Sequence, residues 1–259
     1  MDKKEEKIAI FIPAYNVAHT LPMVIDRIPK SIKKKVKEIL IIDNNSQDNT
    51  HIVAVQYKKR SGLSKLKIIK NDCNVGYGGN QKIAYNYAIK KGFDYIVLLH
   101  GDAQYAPEFI PILLNGIEKD KADMIFGSRM KGNPRKGRMP IYKIIGNRIL
   151  TKIENFVLKI NLSEFHSGFR IYKVDALKKI PFSKCSDGYV FDTDILIQFR
   201  VNGLKIIERT IPTHYGEESR HPSNMDIIKY SFNILRAMFS YFLHIKKIKR
   251  NEKYEIYNS

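Results

Sequence analysis

Short apolar runs at residues 8–12, 36–42, 66–69, 95–99 and 124–127 punctuate the first half of the chain. Runs of four to seven residues, mostly apolar rather than alternating, read as strands buried on both faces, with the run at 66–69 the weakest. Helix-like segments at 20–28, 50–60 and 77–91 lie between them, and another at 107–119 follows the fourth run. Alternating β and α units imply an α/β fold: a mainly parallel, Rossmann-like sheet flanked by helices, with its loops gathered at one end. In such sheets ligands bind outside the carboxyl ends of the strands. The residues that follow each run are therefore the candidates for chemistry.

Beyond the fifth run, residues 131–138 are Gly, Pro and basic residues without periodicity and read as a lid-like loop. A helix at 141–159, a strand after Arg170 and a helix at 188–202 follow. Residues 224–247 set an apolar stripe of Ile228, Phe232, Leu235, Phe239 and Phe242 against a polar face carrying Lys229, Asn233, Arg236, Ser240 and Lys247. That pattern is a C-terminal amphipathic helix. Its stripe suits an anionic membrane surface, the core, or a second subunit in a homo-oligomer, and the pattern leaves all three open.

The chain has 259 residues, with 45 basic against 26 acidic, a net charge of +19. Such an excess calls for an anionic partner: nucleic acid, a membrane surface or a phosphorylated substrate. The two cysteines, Cys73 and Cys185, have no metal-site spacing and point to a reducing compartment. The first seven residues are too charged for a signal peptide. No run reaches the ~20 apolar residues needed to span a bilayer. The expected location is the cytoplasm, at most peripheral on the cytoplasmic face of a membrane.

Three strand ends carry the informative residues. The first runs into Pro13-Ala-Tyr-Asn16, the second into Asp43-Asn-Asn-Ser-Gln-Asp48 and the fourth into Gly101-Asp-Ala-Gln-Tyr-Ala-Pro-Glu108. A carboxylate at the end of a buried strand is placed to share Mg²⁺ with substrate phosphates. The same Gly-Asp pair is also an ordinary turn ahead of a Pro-initiated helix. Asn74-Val-Gly-Tyr-Gly-Gly79 has the wrong spacing for a dinucleotide fingerprint.

Together these loops resemble the inverting family 2 glycosyltransferases with the GT-A fold. Gly127-Ser-Arg129, His166-Ser-Gly-Phe-Arg170 and Phe191-Asp-Thr-Asp194 resemble the subgroup that charges polyprenyl phosphates, typified by dolichol-phosphate mannose synthase. The resemblance covers nearly the whole chain. It implies a GT-A catalytic domain over residues 1–222, followed by a C-terminal amphipathic helix and basic tail over 223–259. Pro13, Ala14, Tyr15, Asn16, Asp43, Gly76, Gly78, Gly79 and Asp102 would bind the nucleotide sugar, with the glycines letting backbone approach it. Asp102 and Gln104 would hold Mg²⁺ or Mn²⁺. Arg129, Arg138, Ser167, Arg170 and Arg220 would bind the acceptor, and Asp102, Arg129 and Asp192 would be the catalytic residues.

The chain departs from the family at several positions. His100 stands where an Asp is frequent, His166 where Thr is usual, and the loop over 212–222 is one residue longer than the family's Gly-x-Ser-Lys pattern. Arg170 is open to a second reading as a structural ion-pair partner, and Asp192 to one as a helix N-cap or core polar residue. Asp192 and Asp194 are two apart on a helix and do not share a face, so only one can enter the site.

The implied activity is metal-dependent, inverting transfer of a sugar from a UDP- or GDP-sugar to a polyprenyl phosphate, dolichyl or undecaprenyl. The alternatives are a family 2 transferase acting on a hydroxyl of a glycan or lipid-linked sugar, and a non-catalytic sugar-nucleotide or polyanion binding module. Nucleic acid as partner would explain the charge but not the three strand-end loops.

Overall fold

The apolar runs become strands because their neighbours on both faces are helices. The computed structural model describes residues 5–212 and 224–256. The strands are β1 Ile8–Ala14, β2 Glu38–Asp43, β3 Leu66–Lys70, β4 Tyr95–Leu98, β5 Met124–Ser128, β6 Arg170–Lys173 and β7 Ile206–Thr210. The helices are α1 Leu21–Arg27, α2 Lys30–Lys35, α3 Thr50–Ser61, α4 Gly76–Lys91, α5 Ile110–Lys119, α6 Ile141–Leu158, α7 Val174–Lys178, α8 Phe191–Val201 and α9 Asn224–Ile245. One seven-stranded sheet runs in the order β3-β2-β1-β4-β6-β5-β7. Every pairing is parallel except those of β6, which is antiparallel to both β4 and β5.

Successive residues of a strand point to opposite faces, and the buried side chains divide accordingly. Ile10, Ile39, Val97 and Ile125 pack with α1 and α5 on one face. Phe11, Leu40, Ile96 and Phe126 pack on the other with α4, α6, α8 and α9. The two layers bury the central strands of the sheet and bring the ends of β1, β2, β4 and β5 to one edge.

β7 lies outside the strands expected from sequence. Its residues Ile206-Ile-Glu-Arg-Thr210 are only partly buried at the sheet's edge, so no apolar run marks them. The helix at 224–245 forms as expected, but its outward face is the apolar one. Ile234, Ala237, Met238 and Tyr241 turn inward, whereas Ile228, Phe232 and Phe239 are each more than 60% exposed. The stripe is not docked on the core. What reads in sequence as a basic tail returns to the fold: Lys253 Nζ lies 2.9 Å from Asp194 Oδ2, Gln198 donates to the Lys253 carbonyl, and Tyr254 is buried. Among the described residues, no helix is long and apolar enough to cross a membrane.

Candidate active site

Pro13 and Ala14 close β1, and the loop beyond them is tied to the loop after β2. Asn16, in the left-handed region at φ 54°, accepts from the Gln47 N–H at 2.8 Å, and its own N–H donates to Ser46 Oγ at 3.0 Å. Two short backbone segments are thus clamped side by side, with Tyr15 between them half-buried. Asp43, the last residue of β2, is fully buried. Its Oδ1 accepts from the Ser46 N–H and hydroxyl. Its Oδ2 has no hydrogen-bond partner, which is uncommon for a buried carboxylate oxygen.

Asn44 links this pair of loops to the start of α4. Its amide donates to the Asn74 side chain and the Gly76 carbonyl, and its Oδ1 accepts from the Val75 N–H. The close approach that Gly76 and Gly78 permit is to protein, which corrects the expectation that their backbone faces a nucleotide. A Cβ on Gly78 would lie 2.2 Å from the Ser186 carbonyl oxygen, and one on Gly76 would lie 2.4 Å from that of Asp187. The Asp187 carbonyl instead accepts the Gly78 and Gly79 N–H groups, the first donors of α4.

At the end of β4, the turn His100-Gly-Asp-Ala-Gln104 contains Ala103 at φ 61°. A non-glycine residue held there stores backbone strain of the kind found in ligand-binding turns. Asp102 is half-buried and its Oδ1 accepts from the Gln104 N–H at 3.2 Å. His100 points back over the sheet end. Its ring stands edge-on to both Tyr77 and Tyr105, and its Nε2 lies 3.0 Å from the Tyr77 hydroxyl. That hydroxyl donates to Asp192 Oδ2 at 3.1 Å, and Asp192 Oδ1 lies 3.3 Å from Arg170. Burial pushes the imidazole pKa below its ordinary 6.5 against the upward pull of Asp102 and Asp192.

Gly168 makes this arrangement possible. A Cβ there would sit 2.2 Å from His100 Nε2, and the ring is held between two tyrosines. Gly168→Ala is therefore expected to lower stability by about 1–3 kcal/mol through overpacking, read as a drop in melting temperature. Part of that loss should return in the His100→Ala, Gly168→Ala double variant. An unchanged melt for the single variant would show that the imidazole is not confined there.

Arg129 follows β5 and is buried. Its guanidinium is ion-paired with fully buried Glu164, whose other oxygen accepts the Arg129 N–H at 2.8 Å; its Nη2 also donates to the His166 carbonyl at 3.0 Å. Asn147 of α6 donates to Glu164 as well. Burial alone would raise the Glu164 pKa, but the charge and hydrogen bonds of Arg129 outweigh it and hold the carboxyl below its ordinary 4.5.

Arg170 is 1% exposed and donates to the carbonyls of Phe165, Ser167 and Asp192 while pairing with the Asp192 carboxylate. The acceptor role expected for it gives way to its second reading, a structural ion-pair partner. Ser167 is also fully buried and donates to the Gly127 carbonyl, so it joins the strands rather than facing an acceptor. Arg138 is exposed in the loop after β5. Arg220, and with it the loop carrying His214, Gly216 and His221, lies outside the described residues. Asp194 points away from the site to Lys253, as its two-residue offset from Asp192 requires.

The structure thus gathers Asp102, Arg129, Arg170 and Asp192 around one imidazole, on which all four charges act. Asp192 is matched by Arg170 and Glu164 by Arg129; among the described residues Asp102 has no cationic partner. A carboxylate and an amide are hard oxygen donors suited to Mg²⁺ or Mn²⁺. Among the described residues no group of three or more His, Cys, Asp and Glu side chains is assembled for a metal. The donors at Asp102 and Gln104 fit a cation whose remaining ligands are phosphate oxygens. Tyr77 and Glu164 were not singled out in sequence. Their roles depend on contacts across 115 and 35 residues, and only the position of Glu164 beside the His-Ser-Gly-Phe-Arg segment hints at one of them.

The sequence model of the family described as "Glycosyl transferase family 2" matches residues 9–181. A polyprenol monophosphomannose synthase of Mycolicibacterium smegmatis is 24% identical, over 90% of this chain and 85% of that one. A UDP-N-acetylglucosamine–dolichyl-phosphate N-acetylglucosaminyltransferase of Methanococcus voltae is 28% identical, over 83% of this chain and 88% of that one. Among solved structures, glucosyl-3-phosphoglycerate synthase of Mycobacterium tuberculosis in complex with Mn²⁺, UDP-glucose and phosphoglyceric acid superimposes with a TM-score of 0.69. That match covers 92% of this chain and 80% of the other at 18% identity. The shared fold is the GT-A arrangement of sheet and helices.

Proposed function

The chain belongs to glycosyl transferase family 2, and on that premise we propose that it transfers a sugar from a nucleotide diphosphate sugar to a polyprenyl phosphate, with inversion and with Mg²⁺ or Mn²⁺. The observation that carries the reading is the charge arrangement at the strand ends. Both buried arginines are neutralised by carboxylates, and Asp102 has no cationic partner among the described residues. A lone half-buried carboxylate beside an anionic donor calls for a divalent ion. The relatives named for polyprenyl and dolichyl phosphate acceptors support the choice of acceptor, since each aligns over more than four-fifths of the chain.

In this reading the nucleotide lies across the clamped loops after β1 and β2, from Pro13 to Asn16, and Asp43 Oδ2, which has no hydrogen bond in the protein and lies 3.9 Å from His51 Nδ1, accepts a hydrogen bond from the base or ribose. Asp102 and Gln104 would hold the cation, which when bound would supply charge neutralisation for the departing diphosphate. An oxygen of the acceptor phosphate attacks the anomeric carbon as the bond to the diphosphate oxygen breaks, and the electron pair leaves with the nucleoside diphosphate. A phosphomonoester, with a second pKa near ~6, is already anionic at pH 7 and needs no general base. Arg129, fixed by Glu164, and Arg138 of the basic loop align that phosphate. Asp192 keeps Arg170 and Tyr77 in place.

Asp192→Asn provides the test, because it keeps an acceptor for the Tyr77 hydroxyl while removing a base. With a polyprenyl phosphate acceptor the expected loss in kcat is below about tenfold. A hydroxyl acceptor requires a base worth roughly 10²–10⁴-fold. A loss of that size, in protein whose melt shows it folded, would move the assignment to a hydroxyl-acceptor transferase.

A further inference from the structure

His166 stands where the family usually carries Thr, and the proposed chemistry does not use its ring. The backbone around it is gripped by two arginines. The carbonyls of Phe165 and Ser167 accept from Arg170 at 2.9 and 2.7 Å, and the carbonyl between them, that of His166, accepts from Arg129 Nη2 at 3.0 Å. The imidazole meets two helices instead. Its Nδ1 lies 3.0 Å from the Tyr230 hydroxyl of α9, and its Nε2 lies 3.1 Å from Glu154 Oε2 of α6. Glu154 is fully buried, and its other oxygen accepts from the Thr193 hydroxyl of α8 at 3.1 Å.

A fully buried carboxylate is destabilising unless it is paired. Among the described residues the ion-pair partner of Glu154 is His166, yet neither Glu154 Oε2 nor His166 Nε2 has an aligned hydrogen bond. Apolar side chains of similar volume would fill this space at no loss of stability. What the polar chain adds is a single orientation of His166. Burial, with Asp192 and Glu154 nearby, holds the Tyr230 phenol well above its ordinary 10, so the hydroxyl keeps its proton. It can donate that proton to Nδ1, which leaves the Nε2 proton facing the carboxylate. The ring is thereby fixed at both nitrogens, and the peptide that carries it presents its carbonyl to Arg129. Glu164 fixes the same guanidinium through Nε.

We propose that His166 is a positioning residue for Arg129: Glu154 and Tyr230 pin its ring between α6 and α9, and its carbonyl sets the angle at which the guanidinium meets the acceptor phosphate. The proposal rests on the polyprenyl phosphate reading and adds to it the residues that orient the arginine.

Two variants probe the relay. Tyr230→Phe keeps the ring and its edge-on packing against Tyr189 while removing the hydroxyl, and His166→Thr installs the family's usual residue. With folding verified by thermal melt, both should raise KM for a water-soluble, short-chain prenyl phosphate about three- to tenfold, the worth of one hydrogen bond. KM for the nucleotide sugar should be unchanged. Arg129→Lys supplies the decisive background, because it keeps a cation against Glu164 but lacks the planar fork that reaches the His166 carbonyl. There Tyr230→Phe should change the acceptor KM by less than about twofold, the non-additivity of residues that act through one another. Full additivity in this cycle, or equal rises in donor and acceptor KM, would assign the cluster to core packing and overturn the proposal. An acceptor KM unmoved in both folded variants, while wild type transfers to prenyl phosphate, overturns the proposal alone. No wild-type transfer overturns the acceptor reading as well.

Discussion

Asp102→Ala is expected to reduce metal-dependent transfer at least ~10³-fold. Charge neutralisation by a bound divalent ion is worth several kcal/mol in the transition state, and each 1.36 kcal/mol is tenfold in rate. Asp102 is half-buried at the tip of a turn, with one contact to the Gln104 N–H. Its removal should therefore leave the melting temperature nearly intact, and the loss should appear as activity rather than folding. Nucleotide-sugar binding measured by calorimetry should lose its response to Mg²⁺ or Mn²⁺ in the same variant. Transfer within tenfold of wild type would remove Asp102 from the mechanism and with it the argument from its unpaired charge.

The second large effect concerns stability. Glu164→Ala leaves the buried Arg129 guanidinium without its counter-charge, and breaking such a pair from one side costs about 3–5 kcal/mol. For a chain of this size that corresponds to a drop of roughly 6–20 °C in melting temperature. Replacing both partners, as in Arg129→Met with Glu164→Leu, should recover much of the stability because no uncompensated charge remains. Acceptor use should not recover. A pH series sharpens the point. The folded-state pKa of Glu164 is depressed below 4.5, so its contribution is complete above that value and is lost as pH falls through the lowered one. Wild type should therefore show a steeper acid-side loss of stability than the double variant. Equal acid sensitivity would mean that the pair contributes nothing.

The parallel half of the sheet is legible because β1, β2 and β4 are buried on both faces and so carry unbroken apolar runs. β6 and β7 are less so. The antiparallel insertion of β6 between β4 and β5 is a matter of topology that no local pattern encodes, and β7 is a half-buried edge strand with a Glu and an Arg in its middle. In α9 the helical period is plain, yet the helix is apolar on two sides. Periodicity finds the stripe of Ile228, Phe232 and Phe239 but cannot tell that Ile234, Met238 and Tyr241 are the side that goes inward.

The site divides in the same way. Strand-end loops announce Asp43 and Asp102 because a polar residue after a buried strand has few other places to go. The partners are not announced. Arg170 looks like a ligand in sequence and is a buried strut in the fold, because the carbonyls of Phe165 and Ser167 just before it and Asp192 of α8 converge on it. The departure at His100 also gains a physical account. The ring occupies space left by Gly168 and bonds to Tyr77 beside the turn that carries Asp102.

The most direct measurement is transfer of label from a panel of UDP- and GDP-sugars to polyprenyl phosphate in the presence of Mg²⁺ or Mn²⁺, with product recovered in organic solvent and its anomeric configuration determined. The account predicts one labelled lipid, formed with inversion, lost on chelation and lost in Asp102→Ala. Donor binding or hydrolysis with no labelled lipid under any donor would contradict it.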